Sequence, residues 1–358
     1  MKKARVWIGI LISAIALIIA FRNVNPALVW EALSHANVLF LAASLVPLLV
    51  FLVLRAYRWR MLFYPQQGLH IVNLLAVINI GYLLSNIFPA RLGDVGRAYL
   101  IGDTEEVSRT TAFSTIVAER VLDALCAVAG FFVVLPFAPL PPWMVRAGAI
   151  IGVVALAALV VFVILVRRRE WTLRLIDRIL LAVHWPDRER MARFWAGWAR
   201  RTHLNFIARL PWADRQRLGG LAGSLINGLS GITTLRQGPR LIVLSAIIWI
   251  DISAFYWLAL LAFDPAQPFV AGLAEASVTA LGMTVPSTPG FIGVFEALTR
   301  EIMVLFGLTP EMALSYGLVA HAIVYVVYTL LGIASMAQQN LTYSEIRKRI
   351  STEANTAQ

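Results

Sequence analysis

The chain has 358 residues, a mean hydropathy of +0.74 and a hydrophobic content of 59%, with only 14% charged residues. Soluble domains carry about 25% charged residues, so this composition excludes a water-soluble globular protein and indicates several membrane spans. The net charge of +11 does not indicate nucleic-acid binding, because most arginines lie in one segment between apolar runs, as cytoplasmic loops require. We expect no nucleic-acid partner.

Residues 6–21 form the first predicted span. Basic residues precede it, so the N-terminus is expected in the cytoplasm. The stretch resembles a signal peptide, but no small-residue cleavage pattern precedes Arg22, and we expect an uncleaved span. The loop 22–36 has little positive charge and is expected outside.

Residues 37–54 form the second predicted span, which ends at a basic and aromatic cluster. This cluster consists of Arg55, Arg58, Trp59 and Arg60. Arginine and tryptophan at the end of a span are typical of the membrane–water interface. We therefore expect these side chains at the cytoplasmic membrane surface.

An uncharged apolar run at 71–88 comes next. A full crossing here would place the later arginine-rich segment outside, against the positive-inside rule. We therefore interpret the run as a re-entrant dip that turns near Gly81. A full span is the alternative.

The break after this run combines helix breakers with charges. Pro89 and Gly93 stand beside Arg91, Asp94 and Arg97. Proline and glycine end a helix, and broken helices at membrane depth occur where they line a cavity or a site. We interpret the break as a polar site at the mouth of the dip. The alternative is a cytoplasmic loop whose arginines face lipid head groups.

Predicted spans follow at 115–137 and 143–166, and the first of them carries Glu119, Arg120 and Asp123. The three- and four-residue spacings allow these side chains to pair or to share a helix face. An ionisable residue at mid-membrane costs about 2.5–3.5 kcal/mol. Two explanations stay open: a structural ion-pair group packed against an arginine of the break, or a site in which arginine binds a lipid phosphate.

Residues 167–239 are rich in arginine, and hydrophobic residues recur there at three- and four-residue spacing. This pattern predicts cytoplasmic amphipathic helices on the membrane surface. Simple anchoring and the recruitment of anionic lipid are the two roles that the pattern allows.

The second half of the chain, 240–340, repeats the plan of the first half, 1–166. Predicted spans at 241–263 and 311–337 flank an interrupted apolar run at 268–306. The helix breakers in this run are Pro286, Pro289, Gly290 and Gly293.

The two breaks share a Pro-x-x-x-Gly spacing, at 89–93 and 289–293, and an acid follows each. The flanking spans run in opposite directions in the two halves, so one dip opens inward and the other outward. Transporters with inverted repeats have this plan, and their sites lie where broken helices meet near the midplane. The acid of the second break, Glu296, is expected to accept a proton, pair with an arginine of the first break or cap a helix.

We therefore predict an all-α polytopic membrane protein with about six full spans and two re-entrant broken-helix hairpins in an inverted repeat, together with cytoplasmic amphipathic helices. Residues 1–340 form a single transmembrane domain, and residues 341–358 form a cytoplasmic tail.

Three motifs, in this order, resemble the lysylphosphatidylglycerol synthase transmembrane (flippase-like) family. They are Pro89-x-Arg91-x-Gly93-Asp94-x-x-Arg97, Glu119-Arg120-x-x-Asp123 and Pro289-Gly-Phe-Ile-Gly-Val-Phe-Glu296. The resemblance covers roughly residues 5–340. Within this family, the chain resembles the lipid-flipping half of bacterial multiple peptide resistance factors. The soluble aminoacyl-transfer domain of those proteins has no counterpart in this sequence. The family usually has two glycines after the second proline, and Phe291 stands at the second of these positions.

The resemblance implies a protein of the bacterial cytoplasmic (inner) membrane that moves an anionic or lipid-linked substrate, of phospholipid, polyprenyl-phosphate or hopanoid type. The residues expected to bind this substrate are Arg91, Asp94, Arg97, Glu119, Arg120, Asp123 and Glu296. The expected partners are membrane lipids, with a homo-oligomer or an envelope-pathway enzyme as further predictions.

The sequence has no phosphate loop, no metal-ligand spacing and no nucleophile elbow, and Cys126 is its single cysteine. We therefore expect no enzyme activity, no cofactor and no metal. Two other hypotheses stay open. One is a scaffold or accessory subunit of a lipid-modifying or cell-envelope pathway, and the other is a membrane-embedded transferase.

Overall fold

The computed structural model describes residues 13, 15–22, 24–64, 68–88, 92–105, 107–138, 141–182, 237–284 and 288–339. All secondary structure in these residues is helical. Pro89, Arg91 and Pro286 lie outside the described residues, as do most of the predicted amphipathic segment and the whole predicted tail.

The helices are α1 (Ile15–Phe21), α2 (Pro26–Ser34), α3 (Val38–Leu62), α4 (Ile71–Ile87), α5 (Leu92–Thr104), α6 (Arg109–Val134), α7 (Pro142–Arg167), α8 (Arg169–Ala182), α9 (Gly238–Leu261), α10 (Phe269–Gly282), α11 (Val294–Leu305) and α12 (Pro310–Gln338). Helices α3, α9 and α12 are long and apolar enough to cross a membrane, and the bent pair α1–α2 would be a fourth span. The predicted crossings on α6 and α7 stay predictions. Helix α2 occupies most of the stretch that was predicted as a loop.

Helix α3 shows how the sequence builds a span and places it. Asn37 caps its N-terminus, and its 25 residues extend roughly 37 Å at 1.5 Å per residue, enough for a bilayer core of about 30 Å. At one end, the Asn37 N–H donates to the Ala262 carbonyl at 2.9 Å. At the other end, Arg58 donates to the Ser245 hydroxyl at 3.2 Å. Helices α3 and α9 are therefore antiparallel.

Helices α4 and α5 form the first hairpin. Its two open ends are joined, because the His70 N–H donates to the Glu105 carboxylate at 3.2 Å. A Cβ built on Gly93 would overlap the Gly81 carbonyl oxygen, so only glycine allows the two backbones to approach this closely. The prediction that the chain turns near Gly81 is wrong: α4 continues to Ile87, and Gly81 is where α5 packs against it.

Helices α10 and α11 form the second hairpin. Its open ends are joined by a hydrogen bond from the Gln267 amide to the Phe306 carbonyl, at 3.3 Å. A short 3-10 helix, Pro289–Phe291, lies in the break. Gly290 and Phe291 have φ angles of 68° and 60° there, and Gly293, with φ of 91°, caps α11. The left-handed backbone at these positions turns the chain between the two helices.

The two halves share one packing pattern. In the first half α3 packs on α4, α4 on α5 and α5 on α6, and the same order holds for α9, α10, α11 and α12. Contacts between the halves also come in matching sets: α3 packs on α9, α4 on α12, and α6 on α10. Since α3 and α9 are antiparallel, the two hairpins open toward opposite ends of this pair. The buried core between the halves includes Trp59, Leu74 and Phe255.

Candidate functional site

A cavity of about 480 Å³ lies between the two halves, where the breaks of the hairpins meet. Its lining includes Asn86, beside the first break, and Gly290, in the second. A Cβ built on Gly290 would lie 3.8 Å from the Asn86 carbonyl oxygen. The cavity volume is within the range of sites for small molecules, about 300–1,000 Å³.

The first half lines this cavity with charged side chains. Four arginines and three carboxylates form a connected network, which we name the arginine–carboxylate cluster. Its members are Arg55, Arg58, Asp94, Arg97, Glu119, Arg120 and Asp123. Glu119 and Arg58 are fully buried behind the wall, and the other five line the cavity.

Glu119 stands at the centre of the cluster. Two nitrogens of the Arg97 guanidinium donate to its two carboxylate oxygens, at 3.2 and 2.9 Å. Arg55 contacts the same carboxylate from α3. Paired hydrogen bonds between charged groups are among the strongest in proteins. Glu119, on α6, thereby joins α5 and α3.

Asp123 binds two arginines that the sequence placed at the membrane surface. Arg58 donates to one oxygen at 2.6 Å and Arg55 to the other at 3.2 Å. The prediction of a surface cluster is therefore wrong for these arginines and for Trp59, since all three are buried. The carboxylates compensate their charge. Arg55 and Arg58 are three residues apart on one helix face, and this spacing is the signal that could have identified them.

Arg120 is the arginine of the cluster that is most open to the cavity. Its Nε and Nη2 donate to the two oxygens of Asp94 at 3.1 and 2.7 Å. Its side chain is 35% exposed, against 4% for Arg97 and 7% for Arg55. A ligand in the cavity can therefore reach Arg120 without displacing other protein atoms.

Within the described residues, the cluster has one more positive charge than negative charges. The Nε atoms of Arg55 and Arg97 are buried and have no hydrogen-bond partner among the described residues. Both arginines line the cavity. A guanidinium presents a planar set of donors that matches phosphate and carboxylate oxygens. The cluster can therefore hold one further anion.

The second half supplies most of the aromatic lining. These side chains are Trp249, Tyr256, Phe291, Phe295 and Tyr328. The Tyr328 ring also stacks on that of Tyr82, with a centroid distance of 4.2 Å. The cavity thus has a charged wall and an aromatic wall, a combination that suits an amphipathic ligand.

Glu296 lies behind the cavity wall. Its Oε2 accepts a hydrogen bond from the Gly293 N–H at 2.6 Å, so it caps α11, which is one of its three predicted roles. Its Oε1 lies 2.7 Å from His321 Nδ1, and His321 Nε2 lies 2.8 Å from the Gly290 carbonyl oxygen. Among the described residues, His321 is thus paired with Glu296.

The pair of Glu296 with His321 matches that of Asp94 with Arg120. Each acid lies in the first turn of the second helix of its hairpin. Each partner lies on the long helix that follows and lines the cavity. The two pairs span 26 and 25 residues of sequence. The halves therefore place equivalent polar pairs on opposite sides of one cavity.

The predicted binding residues separate into three groups. The cluster contains Asp94, Arg97, Glu119, Arg120 and Asp123, the second half contains Glu296, and Arg91 lies outside the described residues. Sequence reasoning missed Arg55, Arg58 and the partnership of His321 with Glu296.

These features define a helical, multi-pass membrane protein with an amphipathic cavity between two helical hairpins. The chain belongs to the family described as the lysylphosphatidylglycerol synthase TM region, whose sequence model matches residues 6–332. The family predicted from the motifs is thereby confirmed.

Similar proteins come from archaea. A UPF0104 membrane protein of Methanothermobacter thermautotrophicus is 23% identical, over 94% of this chain and 96% of that protein. Glycosyltransferase AglD of Haloferax volcanii is 22% identical over 95% of this chain, which spans only 55% of that protein. A UPF0104 membrane protein of Methanocaldococcus jannaschii is 33% identical over 26% of this chain and 31% of its own length. No solved structure shows a significant match.

Proposed function

We propose that this protein moves a lipid with an anionic head group across the cytoplasmic membrane, while the hydrocarbon tails stay in the bilayer. The cavity between the hairpins carries the proposal, because an unbalanced positive charge faces an aromatic wall there. Membership of a membrane-protein family named for a lipid synthase supports it.

The charge of the cluster favours a phosphodiester head group. A phosphodiester carries a single negative charge, which balances the one excess positive charge of the described residues. A phosphate monoester carries about −1.5 to −2 charges at neutral pH and leaves part of its charge uncompensated. Phospholipids and lipid-linked phosphodiesters are therefore the expected substrates.

Alternating access to the cavity would follow from an inverted repeat. In this proposal the two hairpins are re-entrant, six helical segments cross the membrane and both termini lie in the cytoplasm. The antiparallel pair α3–α9 and the matched packing of the two halves support it. Broken helices that meet near the midplane surround the substrate in transporters of this plan.

Cysteine labelling tests this topology. Thr104, at the open end of the first hairpin, and Ala266, near that of the second, are both exposed. Each is replaced by cysteine in a chain that carries Cys126→Ser, and a membrane-impermeant thiol reagent is added to intact cells. We expect Ala266→Cys to react in intact cells and Thr104→Cys only after lysis. Reaction of both from the same side would refute the inverted repeat.

Lipid movement by the purified chain tests the function. Fluorescent phosphodiester, phosphomonoester and neutral lipids are compared in proteoliposomes, and Arg120→Ala is compared with the wild type. A hydrogen bond to a charged group contributes about 1.5–3 kcal/mol, so Arg120→Ala should slow phosphodiester movement at least about tenfold.

Arg109→Ala is the matched control for this experiment. Arg109 lies on the same helix as Arg120 and also pairs with an aspartate of α5, Asp103 at 3.1 Å, but it does not line the cavity. We expect its variant to move lipid at nearly the wild-type rate. Wild-type movement in Arg120→Ala, or equal losses in both variants, would refute the assignment of the cluster.

An accessory role in a lipid-modifying or envelope pathway is the second candidate. One observation favours it: a similar protein is named as a glycosyltransferase, and the present chain spans only about half of that protein. Here the chain would have no enzyme activity of its own and would present a lipid to a partner enzyme. This candidate predicts no lipid movement by the purified chain. Turnover of a lipid-linked sugar by the chain alone would instead indicate a transferase.

A further inference from the structure

Glu275, on α10, is a buried carboxylate that no cation of the described residues contacts. Its side chain is fully buried, and the Thr299 hydroxyl on α11 donates to its Oε1 at 2.5 Å. Its Oε2 has no hydrogen-bond partner, and no basic side chain pairs with it, among the described residues. Glu119 is equally buried but contacts three arginines.

The helices around Glu275 present uncharged groups to it. Tyr256 on α9 and Tyr316 on α12 are its titratable neighbours, and the Tyr316 hydroxyl already donates to the Tyr256 carbonyl at 3.1 Å. Helix α6 packs against α10 where Gly130 faces Ser277. No described group around Glu275 therefore supplies a positive charge.

Such a carboxyl group is stable in this environment only when its charge is neutralised. An ionised carboxylate removed from water without a partner is strongly disfavoured. A proton is the smallest group that removes the charge, and the single hydroxyl ligand supplied by Thr299 is too little for a metal cation, which needs several oxygen ligands.

Glu275 is also close to the cavity and to the moving parts of the proposed transporter. Ala276 and Thr279, on the same helix, line the cavity, and the Thr279 hydroxyl donates to the Glu275 carbonyl at 2.6 Å. The bond from Thr299 joins the two arms of the second hairpin. A change in the charge of Glu275 would therefore alter the packing of α10 against α11.

We propose that Glu275 binds the proton that couples lipid movement to the proton gradient, an inference that rests on the proposed function. The carboxyl group holds the proton while the second hairpin is packed as in this structure. When the hairpin opens to water, the proton passes to a water molecule and leaves a carboxylate that water can solvate. Uptake of a proton from water restores the packed state.

Chemical labelling of the wild-type chain tests the protonated state without any transport assay. Dicyclohexylcarbodiimide is a hydrophobic reagent that modifies protonated carboxyl groups in membranes, and modified residues are located by mass spectrometry. We expect labelling of Glu275 at neutral pH, lower labelling at alkaline pH, and none at the equally buried, arginine-bound Glu119. Absence of label on Glu275, or equal label on Glu119, would overturn the inference.

Proteoliposomes with an imposed pH gradient test the coupling. In the wild type the gradient should accelerate the movement of a fluorescent phosphodiester lipid. Glu275→Gln should keep downhill movement but lose the acceleration, so that rates with and without the gradient become equal, and Glu275→Asp should keep part of the response.

The two proposals fail in different ways. A full response to the gradient in Glu275→Gln would refute the coupling role and leave the transport function intact. No lipid movement in the wild type would refute the transport function, and the coupling role with it. The labelling result would then still decide whether Glu275 carries a proton. Because labelling uses the wild-type chain, a variant that does not fold cannot prevent that decision.

Discussion

Replacing Glu119 by glutamine tests whether the arginine–carboxylate cluster holds the first half together. The substitution keeps the size of the side chain but removes the charge that Arg97 and Arg55 share. Removing one partner of a buried ion pair costs about 3–5 kcal/mol, because the remaining charge is buried without compensation. With an unfolding entropy of roughly 2.1 cal/mol/K per residue, a chain of 358 residues loses about 1.3 °C of melting temperature per kcal/mol of stability. We therefore expect Glu119→Gln to melt roughly 4–7 °C lower than the wild type.

Asp103→Asn provides the matched control. Asp103 also pairs with an arginine across α5 and α6, but its side chain is 32% exposed and that of Arg109 is 46% exposed. Exposed pairs contribute about 0–1 kcal/mol, so this variant should melt within about 1.5 °C of the wild type. Fluorescence-detected melting of the purified proteins in the same detergent measures both shifts.

A double variant separates the ion pair from general damage to the core. Adding Arg97→Gln to Glu119→Gln removes the positive charge that had lost its partner. Residues in one ion-pair network typically couple by about 0.5–3 kcal/mol. The loss of stability in the double variant should therefore be smaller than the sum of the losses in the two single variants. Equal melting shifts for Glu119→Gln and Asp103→Asn, or additive effects in the double variant, would refute this reasoning.

Substitutions of Gly93, Phe291 and His321 test the breaks and the contacts around them. Gly93→Ala should force α4 and α5 apart at Gly81 and abolish the monodisperse peak in size-exclusion chromatography, whereas Gly96→Ala, which meets only the end of a leucine side chain, should keep it. Phe291→Gly should raise the melting temperature, because a bulky residue at positive φ costs roughly 1–3 kcal/mol; an unchanged value would contradict the strain. His321→Ala should slow lipid movement more than His321→Gln, which can still donate to the Gly290 carbonyl, and equal rates would exclude this role.

Local features of the sequence predict where the helices of the two hairpins end, although they placed the turn of the first hairpin wrongly at Gly81. The uncharged run at 71–88 corresponds to α4, because a helix continues until proline and glycine prevent it. Asp94 and Glu296 both lie in first turns of helices, where an acid compensates free backbone N–H groups. Signals of this kind depend on neighbours within a few residues, so they can be read from a single sequence.

Long-range partners cannot be predicted in this way. Arginine at the end of an apolar run has the same local pattern whether it faces lipid head groups or a buried carboxylate. Arg55 and Asp123 are 68 residues apart, and only the packing of α3 on α6 brings them together. The role of Gly81 likewise depends on the position of Gly93 on another helix. A glycine in the middle of an apolar run indicates a turn or a close contact, and the sequence does not distinguish the two.

The two halves place different chemistry on the same framework, and in the proposed mechanism this difference gives them different tasks. Arg120, in the first half, has a charge that does not change at physiological pH. The second half instead contains Glu275, a fully buried carboxyl group with no cation among the described residues. A fixed positive charge suits the binding of a head group in every state of the cycle. A carboxyl group that gains and loses a proton suits the control of which hairpin opens. In the proposed mechanism the proton gradient sets the direction of transport, and the difference between the halves sets which half binds the lipid head group and which half binds the proton.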